Sequence, residues 1–155
     1  VDEQKTSDIL NWLTLTDYGP QQADHLRRRE PSTGPWLLSS TEYSHWVKMA
    51  GQILFCPGIP GGGKTIMAAI VIDDLHQCLR HKQDVAIVYI YCNYRRQEEQ
   101  TLHDLLLDVL KQLLWQRPSV WHAILNRYEG HRQMKTQPGL GEVVNDIHSL
   151  SELYD

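Results

Sequence analysis

Residues 58–65 read Gly-Ile-Pro-Gly-Gly-Gly-Lys-Thr, and this stretch restricts the chain's fold more than any other. The spacing is G-x-x-x-x-G-K-[ST], that of a phosphate-binding P-loop. Each residue type answers a chemical need. Triphosphate oxygens are large and highly charged, so the backbone must wrap closely around them. Gly58, Gly61, Gly62 and Gly63 allow that approach, and their N–H groups turned inward make an anion nest. Ile59 and Pro60 complete the loop. The helix expected from Lys64 adds the positive end of its dipole. Lys64 is predicted to reach the β- and γ-phosphates, and Thr65 to place its hydroxyl on Mg²⁺. A chance match in a chain of this composition is roughly one in a few hundred.

The flanks fit the motif. Residues 52–56, Gln-Ile-Leu-Phe-Cys, form a short apolar run that reads as a buried strand. A helix is predicted from Lys64 to about His81, with Met67, Ile70, Val71, Leu75, Cys78 and Leu79 on its apolar side. Residues 85–91 are a second β-rich run without polar alternation, so both of its faces should be covered. Leu102, Leu105, Leu106, Val109, Leu110, Leu113 and Leu114 recur at spacings of three and four, the clearest helix in the chain. Pro118 should end it and Ser119 cap the next, striped by Val120, Ile124, Leu125 and Tyr128 and stopped at Gly130. A last helix from about Gly141 should turn Val143, Val144, Ile147, Leu150 and Leu153 inward. The order strand, loop, helix, strand, helix predicts an α/β P-loop NTPase fold, a parallel sheet flanked by helices.

Residues 1–50 read as a helical lead-in. It holds a weakly amphipathic segment over 3–14, a polar helix over 21–30 and a Thr-Gly-Pro-Trp turn at 33–36. Ser39 followed by Glu42 has capping-box spacing for a helix carrying Tyr43, Trp46 and Val47. Residues 51–155 are then the N-terminal part of the P-loop domain. They are too few for that fold, and the chain begins at Val1, so the expectation is the front part of a larger protein.

The net charge of −4 lacks the basic balance of a nucleic-acid face, so no nucleic-acid partner is expected. No apolar run reaches the roughly 18 residues of a membrane span. Cysteines at 56, 78 and 92 are odd in number and widely spaced, which suggests free thiols in a reducing, cytoplasmic setting rather than disulfides or zinc. The histidines have no metal-binding spacing.

A complete NTPase site also needs an apolar strand ending in an acid. Residues 70–74, Ile-Val-Ile-Asp-Asp, imitate one, but they lie on the helix begun by Lys64. Asp73 would stand roughly 12 Å along the axis from Thr65, at 1.5 Å per residue. The run at 85–91 ends in Tyr91-Cys92-Asn93, with no acid. Half of an NTPase site is present, and hydrolysis by these residues alone is expected to be negligible.

Four stretches resemble the fungal NACHT-type STAND NTPases, in the group described as nephrocystin-like N-terminal P-loop domains. They are Arg27-Arg28-Arg29-Glu30-Pro31-Ser32-Thr33-Gly34-Pro35-Trp36-Leu37-Leu38, residues 53–69, Tyr89-Ile90-Tyr91-Cys92-Asn93-Tyr94 running into 95–101, and the leucine helix with Lys111-Gln112-Leu113. The family usually has Gly-Thr before the Trp-Leu pair. Here Ser32 takes the Gly position, and Pro35 stands where a polar residue is common. The resemblance implies a switch driven by ATP or GTP with Mg²⁺, set between an N-terminal effector region and C-terminal repeats that supply protein partners. Oligomerisation and signalling in fungal non-self recognition accompany it. It also implies that two later strands separate the strand at 52–56 from that at 85–91, leaving each without a partner here.

Two other functions stay open. A small-molecule or nucleotide kinase uses a similar loop but needs an acceptor pocket and an Arg-rich lid, for which only Arg95-Arg96 offer themselves. A truncated, non-hydrolysing interaction module would account for the missing acid. Trp36 is expected to pack in the core, as are Trp12, Trp46, Trp115 and Trp121, while Arg27-Arg28-Arg29 and Arg95-Arg96 read as solvated surface.

Overall fold

The computed structural model describes residues 3–117 and 122–154. Among these residues all regular secondary structure is helical. The elements are α1 (Glu3–Leu13), α2 (Gly19–Arg27), α3 (Pro35–Leu38), α4 (Thr41–Lys48), α5 (Lys64–Leu79), a kinked 3-10 segment (Tyr94–Glu99), α6 (Leu102–Gln116), α7 (His122–Met134) and α8 (Leu140–Ser151). The expected α/β P-loop fold with a parallel sheet is therefore corrected to an all-helical architecture. The expectations at Pro118, Ser119, Val120 and Trp121 lie outside the described residues.

Hydrogen bonding explains the correction. A strand exists only when a neighbour accepts and donates along its edge. The run at 52–56 has no such neighbour among the described residues. It lies open, with Ile53 92% and Phe55 81% exposed, instead of buried. The run at 85–91 is half-buried, and side chains take the place of a second strand. The Ile87 N–H donates to Gln116 Oε1 at 3.0 Å and Gln116 Nε2 donates to Ile87 O at 2.8 Å. Gln112 does the same for Tyr89. Gln100 accepts from the Asn93 N–H and donates to Tyr91 O. Four residues of helix rise about 6 Å and two residues of extended chain about 6.6 Å, so Gln112 and Gln116 match alternate residues of the run.

The chain divides into two compact units, Val1–Tyr18 with Lys82–Asp155, and Gly19–His81. In the first, α6 packs against α8 and α1, and α1 against α7. Ile9, Leu10 and Leu13 of α1, Leu107, Leu110, Leu113 and Leu114 of α6, Ile124, Leu125 and Tyr128 of α7, and Val143 and Leu150 of α8 form one core. Trp12 packs partly buried against it. The start of α6 is fixed by a reciprocal capping box between Thr101 and Asp104. Gly130 does not stop α7, which runs on to Met134. Val144 and Leu153 stand 45% and 39% exposed rather than turned inward, and Trp115 is 71% exposed.

In the second unit α2 packs on α5, with Ala69, Ile70 and Ile72 buried. The buried Gln22 donates through Nε2 to Ala69 O at 2.8 Å. Ser40, not Ser39, caps α4: its hydroxyl accepts the Tyr43 N–H, while Ser39 closes α3. Tyr43 donates its hydroxyl to Asp74 Oδ2 at 2.6 Å and packs its ring against the half-buried Trp46. Trp36 is 69% exposed, so it is not the core residue its type suggested.

Candidate functional site

The segment 58–65 forms one continuous loop leading into α5. The Gly62 N–H donates to Ile59 O at 3.0 Å and closes a tight turn over Pro60 and Gly61, the latter at φ +78°. A Cβ on Gly62 would press against that same carbonyl at 3.0 Å, so a side chain there would have to push the turn open by a few tenths of an ångström. Gly63 caps α5 with φ +85°, a left-handed geometry that L side chains rarely adopt, and its carbonyl accepts the Met67 N–H at 2.9 Å. Lys64 and Thr65 are the first two residues of α5, and both are exposed. Four backbone N–H groups at such a helix start have no partner within the helix.

Lys64 folds back over the loop. Its ammonium donates to Gly58 O at 2.6 Å and to Ile59 O at 2.7 Å. The cation therefore sits against the loop's own carbonyls, beside the start of α5. An incoming anion would replace those two neutral carbonyl acceptors of the Lys64 ammonium with charged oxygens, adding the attraction of opposite charges. Loop, left-handed cap, helix start and cation are contiguous.

The carboxylates of α5 are engaged elsewhere. Asp73 accepts from Gln77 Nε2 at 2.8 Å, and Asp74 accepts the Tyr43 hydroxyl. Burial, with Asp74 adding to it, pushes the Tyr43 hydroxyl well above its ordinary range, so this bond keeps its proton. Among the described residues no group of three or more His, Cys, Asp or Glu could hold a metal ion. Arg27 and Arg28 pair with Asp24 on the surface, and Arg29 donates to Thr33 O at 3.1 Å, bracing the turn at 33–36. Arg95 lies over the Tyr94 ring, and Arg96 pairs with Glu99. These five cations are thereby given local structural roles. Cys56, Cys78 and Cys92 are free and exposed, not buried as free thiols usually are.

The chain matches the family described as Nephrocystin 3, N-terminal, over residues 32–153. It belongs to the nephrocystin 3 N-terminal family. That is the nephrocystin-like part of the resemblance carried by the four sequence stretches. The nephrocystin 3 N-terminal match takes in the turn at 33–36, the loop 58–65 and all of α6, α7 and α8. No curated protein and no solved structure matches the chain significantly.

Two buried acids belong to the matched region and carry no motif. Asp108 accepts the Thr14 hydroxyl at 2.8 Å and the Tyr18 hydroxyl at 2.9 Å. Asp146 accepts both guanidinium nitrogens of Arg127, at 3.0 and 2.9 Å, and the Tyr128 hydroxyl. Their one sequence signal is position. Asp108 directly follows the buried Leu107 of α6, and Asp146 lies three residues beyond Val143 and four before Leu150 in α8. An acid on a helix's apolar stripe demands partners, since a buried charge without them is costly.

No helix among the described residues is long and apolar enough to cross a membrane.

Proposed function

We propose that residues 58–65 bind the phosphates of ATP or GTP with Mg²⁺, and that the chain is the nucleotide-binding part of a NACHT-type STAND signalling switch. The observation that carries this reading is the position of Lys64, whose ammonium rests on Gly58 O and Ile59 O at the start of α5. The residues fit an anionic group. A Cβ at Gly62 would crowd Ile59 O at 3.0 Å, Gly63 turns the chain into the helix, and Lys64 is the one side chain in 58–65 that carries a positive charge. Lys64 would hold the terminal phosphates, and the exposed hydroxyl of Thr65 would face the metal. Bound nucleotide would supply the binding energy that drives a switch between states.

Binding without efficient hydrolysis fits the carboxylates, because Asp73 and Asp74 already serve Gln77 and Tyr43. A fungal origin and partners held by an effector region and repeats belong to the same proposal and rest on the resemblance alone, while cytoplasmic residence rests on the odd, widely spaced cysteines.

Calorimetry with Mg-ATP and Mg-GTP tests it. Wild type is expected to release heat with at least one nucleotide, and Lys64→Ala to release little. Equal heats from the two proteins would overturn the reading.

A further inference from the structure

We infer that α1 and residues 14–18 form a releasable strap, which masks a groove between α6 and α7 that accepts an amphipathic helix. The chain leaves the first unit at Tyr18 and returns to it at Lys82. The strap is therefore joined to α6 and α7 only by way of residues 19–81, and non-covalent contacts alone seat it. No other helix of the first unit is pulled along the chain when the strap lifts.

The groove is apolar along its length and polar at one end. Ile9, Leu10 and Leu13 of α1 are buried against α6 and α7, while Glu3, Gln4, Lys5, Ser7 and Asn11 are exposed. Past Leu13, two side chains of α6 grip the strap. Asp108 and Lys111 stand three residues apart, on one helix face. Lys111 Nζ donates to Thr14 O at 2.8 Å, to Asn11 Oδ1 at 3.4 Å and to Thr16 O at 3.5 Å. A cation there also answers the negative end of the α1 dipole. Asp108 accepts the hydroxyls of Thr14 and Tyr18. What the pair recognises is the end of a helix followed by hydroxyl side chains.

The hold is balanced rather than tight. Burial lowers the Lys111 ammonium from its ordinary value, against the pull of Asp17 and Asp108. Desolvation thus offsets part of what its bonds contribute. Nearer the start of α1, a surface pocket of about 60 Å³ opens between Lys5, Thr6 and Ile9 and His122, Leu125 and Asn126 of α7. A helix of 11 residues is marginal alone in water, so a lifted strap loses its helix and regains it on docking. The inference does not depend on the loop at 58–65.

Amide exchange in the whole 155-residue chain, read by NMR, and binding of a fluorescent peptide of residues 1–18 test it. The Leu10 and Leu13 amides should exchange at least about tenfold faster than those of Leu110 and Leu114, and with a weaker dependence on urea, the mark of a partial opening. Lys111→Met keeps the apolar stem and removes the three bonds, and should quicken Leu10 and Leu13 about tenfold. In a chain carrying Thr14→Val and Tyr18→Phe the strap is weakened and the groove intact. That chain should bind the peptide at least about tenfold more tightly than wild type, and adding Lys111→Met should abolish the gain. Three results would each overturn the proposal. One, which needs no variant, is exchange of Leu10 and Leu13 with the same urea dependence as Leu110 and Leu114, since the strap would then leave only on global unfolding. Another is no peptide binding by the strap-weakened chain. The third is peptide binding that Lys111→Met leaves unchanged.

Discussion

Gln112 stands in for a neighbouring strand beside Tyr89: the Tyr89 N–H donates to Gln112 Oε1 at 3.1 Å, and Gln112 Nε2 donates to Tyr89 O at 2.8 Å. One carboxamide thus satisfies both backbone groups of a half-buried residue. Gln116, one turn further along α6, repeats the arrangement at Ile87. The run at 85–91 is held in place by helix side chains rather than by a sheet.

Replacing Gln112 by Leu should therefore cost about 2 kcal/mol, since it strands a donor and an acceptor at a half-buried site. Gln112→Glu keeps the acceptor for the Tyr89 N–H but loses the donor to Tyr89 O, and should cost about half as much. Urea unfolding gives the size of the loss, and amide exchange at Tyr89 localises it. Unchanged midpoints in both variants would show that the pairing adds nothing to stability.

The Arg127–Asp146–Tyr128 cluster joins α7 to α8. Asp146 is 5% and Tyr128 0% exposed, so the hydroxyl–carboxylate bond is shielded from water. Tyr128→Phe should destabilise by about 2 kcal/mol, within the worth of a hydrogen bond to a charged group. Asp146→Ala should cost more, about 3 kcal/mol, because it leaves the Tyr128 hydroxyl buried without an acceptor and Arg127 unpaired. The side chain of Arg127 is 46% exposed, so water compensates part of that loss. Equal stability of the two variants, by urea unfolding, would contradict the ranking.

How far the sequence foretells this molecule depends on what each prediction rests on. The leucine repeat of α6 rests on local periodicity, and the helix forms at Leu102–Gln116, close to where the spacing places it. The extent of α7 rests on tertiary context. Gly130 costs a helix about 1 kcal/mol, yet the buried Ile124, Leu125 and Tyr128 and the bonds from Arg127 and His131 to Glu142 carry the helix past it. The strands at 52–56 and 85–91 rest on apolar composition, which cannot say where an edge finds its hydrogen bonds. Gln100, Gln112 and Gln116 look like ordinary polar positions until the fold brings them beside 85–93. The loop at 58–65 is legible because all of its parts are contiguous in sequence.

Tyr91 offers a test in alkaline solution. Burial, with Tyr89 adding to it, pushes the Tyr91 hydroxyl up to about 12, against about 10 in an unfolded chain. Above pH 10 the unfolded chain releases a proton that the folded chain retains, so stability falls as pH rises. The contribution is complete below about pH 10 and is lost as pH climbs through about 12. Tyr91→Phe should flatten the decline in this window, measured by urea unfolding at successive pH values. The same pH slope in variant and wild type would refute the assignment.

Thr101 isolates one helix cap. Its hydroxyl accepts the Asp104 N–H at 3.3 Å, and Asp104 Oδ2 accepts the Thr101 N–H at 3.0 Å. Thr101→Ala should cost about 1 kcal/mol, the usual worth of an N-cap. Amide exchange should quicken first at Asp104. A loss confined to the far end of α6 would place the effect elsewhere.

Thr65 separates metal binding from phosphate binding at the proposed nucleotide loop. Its hydroxyl is exposed on the first turn of α5, one residue beyond the ammonium of Lys64. Thr65→Val removes the hydroxyl and keeps the side chain's shape. If that oxygen is a Mg²⁺ ligand, the variant should bind Mg-nucleotide about tenfold more weakly, a loss of about 1.4 kcal/mol. Binding of nucleotide in EDTA should be unchanged, because that contact runs through Lys64 and the loop. Lys64→Ala should instead weaken both. A Thr65→Val protein that binds Mg-nucleotide as tightly as wild type would remove the metal from Thr65, while leaving the phosphate contacts of Lys64 to be judged on their own titration.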